Sequence, residues 1–204
     1  MGKSVALKRL TRGFLDFRYA AYTGYLLLLL PLGLVAFSSA QASLACKFYS
    51  WRNQELRYHT TYRYTEAETH AAQSRYPPLP VKGVYAIARL YAIEPDAPEA
   101  RPCSNLSIEK RLFLQRRDDP EFVLREISEF YAEDGTLITT NSQVVTEQMP
   151  RTGYYMAHDL LPIPEDAPPG RYHLVTKLIL TKEGRKATFL LGSSKTEYRI
   201  LPLD

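Results

Sequence analysis

The hydrophobic pattern changes character once along the chain. No charged side chain lies between Arg18 and Lys47, and within that window residues 25–37 form a dense apolar run that includes Leu26, Leu27, Leu28, Leu29 and Leu30. Such a run prefers hydrocarbon to water and predicts one N-terminal apolar helix at a membrane. From Val81 onward apolar and polar positions alternate, the period of a strand with one buried face. Tyr85, Ile87, Tyr91 and Ile93 share one phase, and Leu106, Ile108, Leu112 and Leu114 share another. Residues 122–131 admit two readings. Asp119-Pro120-Glu121 has the form of a helix start, but Val123, Ile127 and Tyr131 suit a strand. Asp134-Gly135 ahead of Thr136-Leu137-Ile138-Thr139-Thr140 is a hairpin signal, so a strand is expected.

Further strands are expected at 154–161, 172–180, 187–191 and 196–201, with Gly192-Ser193-Ser194 breaking the line between the last two. Tyr172, Leu174, Thr176, Leu178 and Leu180 alternate with His173, Val175, Lys177 and Ile179, and both faces are largely apolar, which predicts a central strand. Seven to eight short strands with regular turn signals predict a mainly β domain over 81–204, an immunoglobulin-like antiparallel β-sandwich.

Residues 43–80 read as a connecting segment. Leu56, Tyr58, Thr60, Tyr62 and Tyr64 alternate with Arg57, His59, Thr61, Arg63 and Thr65, which predicts a strand; residues 66–74 suit one or two helical turns. Pro77-Pro78-Leu79-Pro80 predicts a stiff extended linker.

Residues 1–18 form a basic tail, with Lys3, Lys8, Arg9, Arg12 and Arg18 against Asp16. Two readings of residues 19–42 stay open. One is a signal peptide released after Ala42, at Ala40-Gln41-Ala42. The other is an uncleaved anchor with Phe14, Phe17, Tyr19, Tyr22 and Tyr25 as an aromatic belt. Both leave the N-terminus cytoplasmic and residues 43–204 extracytoplasmic, in the periplasm. A lipid-attachment reading at Cys46 fits less well, because Leu44 stands two places before the cysteine rather than three.

Charge narrows the function classes. Five of the 26 basic residues and one of the 22 acidic ones precede residue 43, which leaves 21 of each in the remainder. A phosphate-binding surface needs clustered positive charge, so a nucleic-acid partner is excluded for the exported part. The two cysteines, Cys46 and Cys103, fall on the oxidising side and form an even pair, which predicts a disulfide. Their spacing matches no zinc motif.

The run from Pro164 to Tyr172, nine residues, resembles the loop before the penultimate strand in many bacterial immunoglobulin-like domains. No G-x-S-x-G nucleophile elbow occurs, and His59, His70, His158 and His173 are scattered, so no enzyme and no cofactor are expected. Trp51, Arg57, Tyr58, Tyr62, Arg63 and Tyr64 carry the side chains enriched at protein interfaces, in a segment with few aliphatic residues to bury. The expectation is a non-enzymatic envelope protein, anchored or periplasmic, that docks on a protein partner as an accessory or assembly subunit. Membrane contact would run through residues 19–42 if they are uncleaved. The alternative is a periplasmic copper or small-ligand binder, with Met149, Met156, His158 and His173 as soft ligands for Cu(I).

Overall fold

The computed structural model describes residues 46, 47, 49, 58–119, 121–182 and 187–203. The apolar window 19–42, the basic tail, Trp51 and Arg57 lie outside them. Among the described residues no helix is long and apolar enough to cross a membrane.

From Arg63 on, the described residues form β1 (Arg63–Thr65), α1 (Glu66–Arg75), β2 (Ala86–Pro95), β3 (Glu99–Ala100), β4 (Ser104–Arg116), β5 (Phe122–Ala132), β6 (Leu137–Val144), β7 (Gly153–Ile163), β8 (Gly170–Lys182) and β9 (Thr188–Ile200). They build one four-stranded sheet in the order β1-β7-β4-β2 and one five-stranded sheet in the order β3-β9-β8-β5-β6. Every pairing is antiparallel except the short β3–β9 contact. β8 lies between β9 and β5, the interior position that its two apolar faces predict. Gly135, at φ +83°, makes the turn between β5 and β6 that the Asp-Gly pair predicts.

Period-two alternation decides what enters the core. β7 buries Gly153, Tyr155, Ala157, Asp159, Leu161 and Ile163, and β8 buries Tyr172, Leu174, Thr176, Leu178 and Leu180. On β5 the inward set is Phe122, Leu124, Glu126, Ser128 and Phe130. The strand expected there is present, but Val123, Ile127 and Tyr131 lie on its other, half-buried face. The apolar core falls into two clusters. One gathers around Leu112, Leu124, Tyr155 and Leu178, the other around Ile108, Phe130, Leu174 and Tyr198. Lys110, Glu126, Asp159 and Thr176 are buried at the strand positions between them.

Residues 58–80 belong to this packing rather than to a free connecting segment. Thr60 and Tyr62 are buried, and the backbone around them is read by side-chain amides instead of a strand ladder. Gln143 bonds both the N–H and the carbonyl of Thr60, Asn141 donates to the carbonyl of Tyr58, and Gln148 accepts from the N–H of Tyr62. Regular strand is confined to β1, three residues paired with β7. Further on, Tyr76 stacks on Phe113 at 5.6 Å, and Gln115 donates to the carbonyl of Pro77, so the proline run is laid against β4. The structure joins Cys46 to Cys103, with Cα atoms 5.1 Å apart.

Candidate functional site

The strand phases bring three charges into the centre of the sandwich. Lys110 on β4 is fully buried, and two carboxylates reach it. Its Nζ lies 2.5 Å from Glu126 Oε1, across the sandwich on β5, and 2.9 Å from Asp159 Oδ2, on the adjacent β7. The β4–β7 register pairs Ile108 with Asp159 and Lys110 with Ala157, so Lys110 and Asp159 are diagonal neighbours on the inner face. The Thr60 hydroxyl sits among all three, 2.5 Å from Lys110 Nζ, 2.9 Å from Glu126 and 2.6 Å from Asp159. Tyr62 and Tyr91 both donate to Glu126 Oε2, the latter at 2.8 Å. The Tyr58 ring lies under the ammonium, 5.0 Å from Nζ to its centroid.

One cation therefore faces two carboxylates in a dry environment, where an uncompensated charge is costly. Burial opposes the charged form of Glu126, but Lys110 and the donors Lys110, Tyr62 and Tyr91 outweigh it and hold its pKa below the usual carboxylate range. Burial likewise opposes charge on Lys110, and Glu126, Tyr58 and Asp159 overcome it and raise the pKa. Burial pushes the Tyr58 hydroxyl up to about 12 and raises Tyr62 and Tyr91 well above their ordinary range. Asp159 Oδ1 is buried and has no hydrogen-bond partner among the described residues. Sequence reasoning missed this cluster. Lys110 and Asp159 occupy the apolar phase of their strands, but on β5 both phases carry apolar residues, and only the structure turns Glu126 inward.

A second feature opens at one end of the sandwich. A cleft of about 740 Å³ is lined mainly by apolar side chains, among them Tyr58, Phe130, Ile138, Leu161, Tyr172 and Tyr198. It runs beside β6, the last strand of its sheet among the described residues. Leu137, Ile138 and Val144 of that strand are exposed.

The residues expected at an interface divide. Tyr62 is core, and its hydroxyl is committed to Glu126, which removes it from any docking surface. Tyr58 is half-buried, edge-on to Phe130 at 5.3 Å between centroids. Arg63 and Tyr64 are exposed, and Arg151 stacks over the Tyr64 ring at 4.2 Å.

The copper set does not converge. Met149 is fully buried in the core before β7. Met156 and His158 lie on the outer face of β7, as their spacing predicts. His173 is on the outer face of the other sheet, its Nδ1 3.3 Å from the Glu197 carboxylate. His158 instead gathers with Asp96 and Glu109 at the surface, their ligand atoms within 4.8 Å of one another. Ser107 and Lys110 have the S-x-x-K spacing but cannot act together. Three residues apart on a strand they face opposite sides, and the Ser107 hydroxyl donates to Asp96 at the surface.

No protein-family model and no curated protein matches the chain. Among solved structures it is similar to the CARDB domain of the PF1109 protein from Pyrococcus furiosus, at 8% identity and a TM-score of 0.36, over 61% of this chain and 100% of that one. It is similar to the CooA pilin subunit from enterotoxigenic Escherichia coli at 8% identity and a TM-score of 0.29, over 58% and 100%. A family 123 glycoside hydrolase from Clostridium perfringens matches at 13% identity and a TM-score of 0.32, over 52% of this chain and 22% of the enzyme. At such scores the likeness carries no conclusion about activity or partner.

Proposed function

We propose that the chain is a non-enzymatic protein of the cell envelope whose immunoglobulin-type sandwich docks on a protein partner as an accessory or assembly subunit. The connectivity supports the immunoglobulin-type reading. Apart from the two-residue β3, which the chain visits between β2 and β4, it crosses between sheets from β4 to β5, from β6 to β7 and from β7 to β8. At the start of β8 the Tyr172 hydroxyl returns to the carbonyl of Pro168 at 2.6 Å, as the corner tyrosine of such domains does. The charge asymmetry around residues 19–42 supports an extracytoplasmic location.

The observation that carries the docking reading is the β6 edge beside the apolar cleft. A sheet edge with exposed apolar residues is an aggregation hazard unless something covers it. An extended apolar segment of a partner would bond the β6 main chain and place alternate side chains in the cleft. The test places a photo-crosslinking residue at position 138 in the full-length protein, in cells, with a reporter active only outside the cytoplasm fused after Asp204. An active reporter and a covalent adduct to a second envelope protein are expected. An inactive reporter at normal expression, or a folded protein that yields no adduct, overturns the reading. The cleft volume also falls within the range of small-molecule sites, roughly 300–1,000 Å³. A small apolar molecule found by native mass spectrometry of the purified protein, with no protein adduct at 138, selects that reading instead.

A further inference from the structure

We propose that Lys110 and Asp159 condense within the folded protein into an internal isopeptide bond that ties β4 to β7, with Glu126 as the proton-transferring residue. Three independent features of the buried cluster support it.

The first is placement. Amine and carboxyl meet at 2.9 Å on neighbouring strands of one sheet, and the third group approaches from the opposite sheet at 2.5 Å. All three side chains are held from solvent, with 0% exposure for Lys110, 3% for Glu126 and 1% for Asp159. Fixed juxtaposition of this kind is equivalent to effective concentrations of roughly 10⁵–10⁸ M. Exclusion of water also favours an amide over the hydrolysed pair. The second is the division of labour between the carboxylates. Glu126 accepts from Tyr62 and Tyr91 through Oε2, which holds it as a carboxylate and leaves Oε1 facing the amine. Asp159 bonds Thr60 and Lys110 through Oδ2, and its Oδ1 has no partner among the described residues. Glu126 is thus the anion fixed beside the nitrogen, placed to relay a proton, and Asp159, with one oxygen outside the network, is the carboxyl left for attack. The third is charge. The cluster holds one ammonium and two carboxylates, and condensation removes one charge of each sign from the core. The remaining carboxylate keeps hydroxyl donors in Tyr62, Tyr91 and Thr60.

The step balances without an oxidant, reductant or co-reactant. The Lys110 ammonium passes a proton to Asp159, directly or through the Thr60 hydroxyl that touches both, giving a neutral amine and a carboxylic acid. The amine lone pair attacks Asp159 Cγ. Glu126 takes a proton from the nitrogen and delivers it to the departing hydroxyl. A C–N bond forms, a C–O bond breaks, one water leaves, and Glu126 ends as it began.

Mass spectrometry of the full-length protein, purified from its own compartment and reduced, tests this directly. The expected mass is one water below that of the reduced sequence, whichever N-terminus is present. Protease digestion is expected to give one branched peptide joining the fragments that carry Lys110 and Asp159. Glu126→Gln and Lys110→Arg are each expected to restore the full mass and the unbranched peptides. Both keep the wild-type volume closely, but the decision does not depend on their folding. If folded wild-type protein yields the peptides containing Lys110 and Asp159 separately and at full mass, the proposal is overturned. A branch joining Lys110 to Glu126 overturns the assignment of roles.

Discussion

At the scale of single residues, Glu126 sets the chemistry of the core. Its two tyrosine donors are useful only while they remain neutral. Burial pushes Tyr58 up to about 12, and burial together with the Glu126 charge raises Tyr62 and Tyr91 well above their ordinary values. Each folded pKa is thus above the unfolded one, about 10. For Tyr58 the associated stability is fully present below about pH 10 and is lost as pH rises through about 12, and for Tyr62 and Tyr91 it is likewise lost as pH rises through their raised values. Tyrosinate absorbance is expected to appear in this window together with loss of β circular dichroism. Tyrosines that all titrate near 10 in an intact fold would contradict the buried network. Tyr62→Phe keeps the ring and removes a hydrogen bond to a charged group, at a cost of about 1.5–3 kcal/mol by denaturant unfolding. A variant as stable as wild type would return Tyr62 to the surface role its sequence neighbourhood predicts. The cluster escaped sequence reading because charge at a strand position is ordinarily assigned to solvent. Along β4 the apolar phase reads Leu106, Ile108, Lys110, Leu112, Leu114, and Lys110 passes as an interruption. One such residue carries little information. The signal is the coincidence of Lys110, Glu126 and Asp159 on the inward phase of three strands, and it becomes visible only once the register is known.

At the scale of elements, alternation located most of the strands because each has one face on the core. It failed where the backbone is satisfied by something other than a ladder. Residues 58–62 alternate like a strand, yet Asn141, Gln143 and Gln148 side chains take the place of a neighbouring strand. Helix α1 starts at Glu66 as its composition predicts, with Glu66 and Glu68 in the first turn and Arg75 in the last, complementing the helix dipole. The break expected at Gly192-Ser193-Ser194 is instead an interior point of β9, where the register against β8 shifts between Leu178 and Ile179. Glycine in a strand marks either a bulge or a close approach, and here it marks both. A Cβ at Gly192 would lie 3.2 Å from Tyr91 Cβ and 3.4 Å from Ala88 Cβ, atoms fixed to the β2 backbone. Gly192→Ala is therefore expected to cost about 1–3 kcal/mol through overpacking of β2 against β9. Ser193→Ala beside it, on the exposed side, is expected to stay within about 0.5 kcal/mol. Equal stabilities for the two variants would mean that β2 and β9 are not held at this separation.

At the scale of the whole molecule, the described chain enters the domain at a covalent tether. The turn carrying Cys103 joins β3, which pairs with β9 of one sheet, to β4 of the other. The Cys103 N–H donates to the carbonyl of Ile163 at 2.9 Å, which also fixes the end of β7. Tying Cys46 to this point fixes the entering chain where both sheets meet, and Tyr49 reinforces it by donating to the Ser104 carbonyl at 2.8 Å. The cysteines are 57 residues apart. A loop of that size restricts the unfolded chain by about 4 kcal/mol in the entropic treatment. Cys46→Ser together with Cys103→Ser is expected to lower the unfolding free energy by that order while leaving the β circular dichroism of the folded protein unchanged. The bond also reports location, since it forms and persists in oxidising compartments. Protein made with residues 1–42 intact is expected to carry the disulfide, and protein of residues 43–204 made in a reducing cytoplasm is expected to carry two alkylatable thiols. A loss well under 1 kcal/mol in the double variant would show that Tyr49 and the contacts of residues 58–62 already hold the entering chain. Free thiols in the full-length protein would remove the extracytoplasmic reading along with the bond.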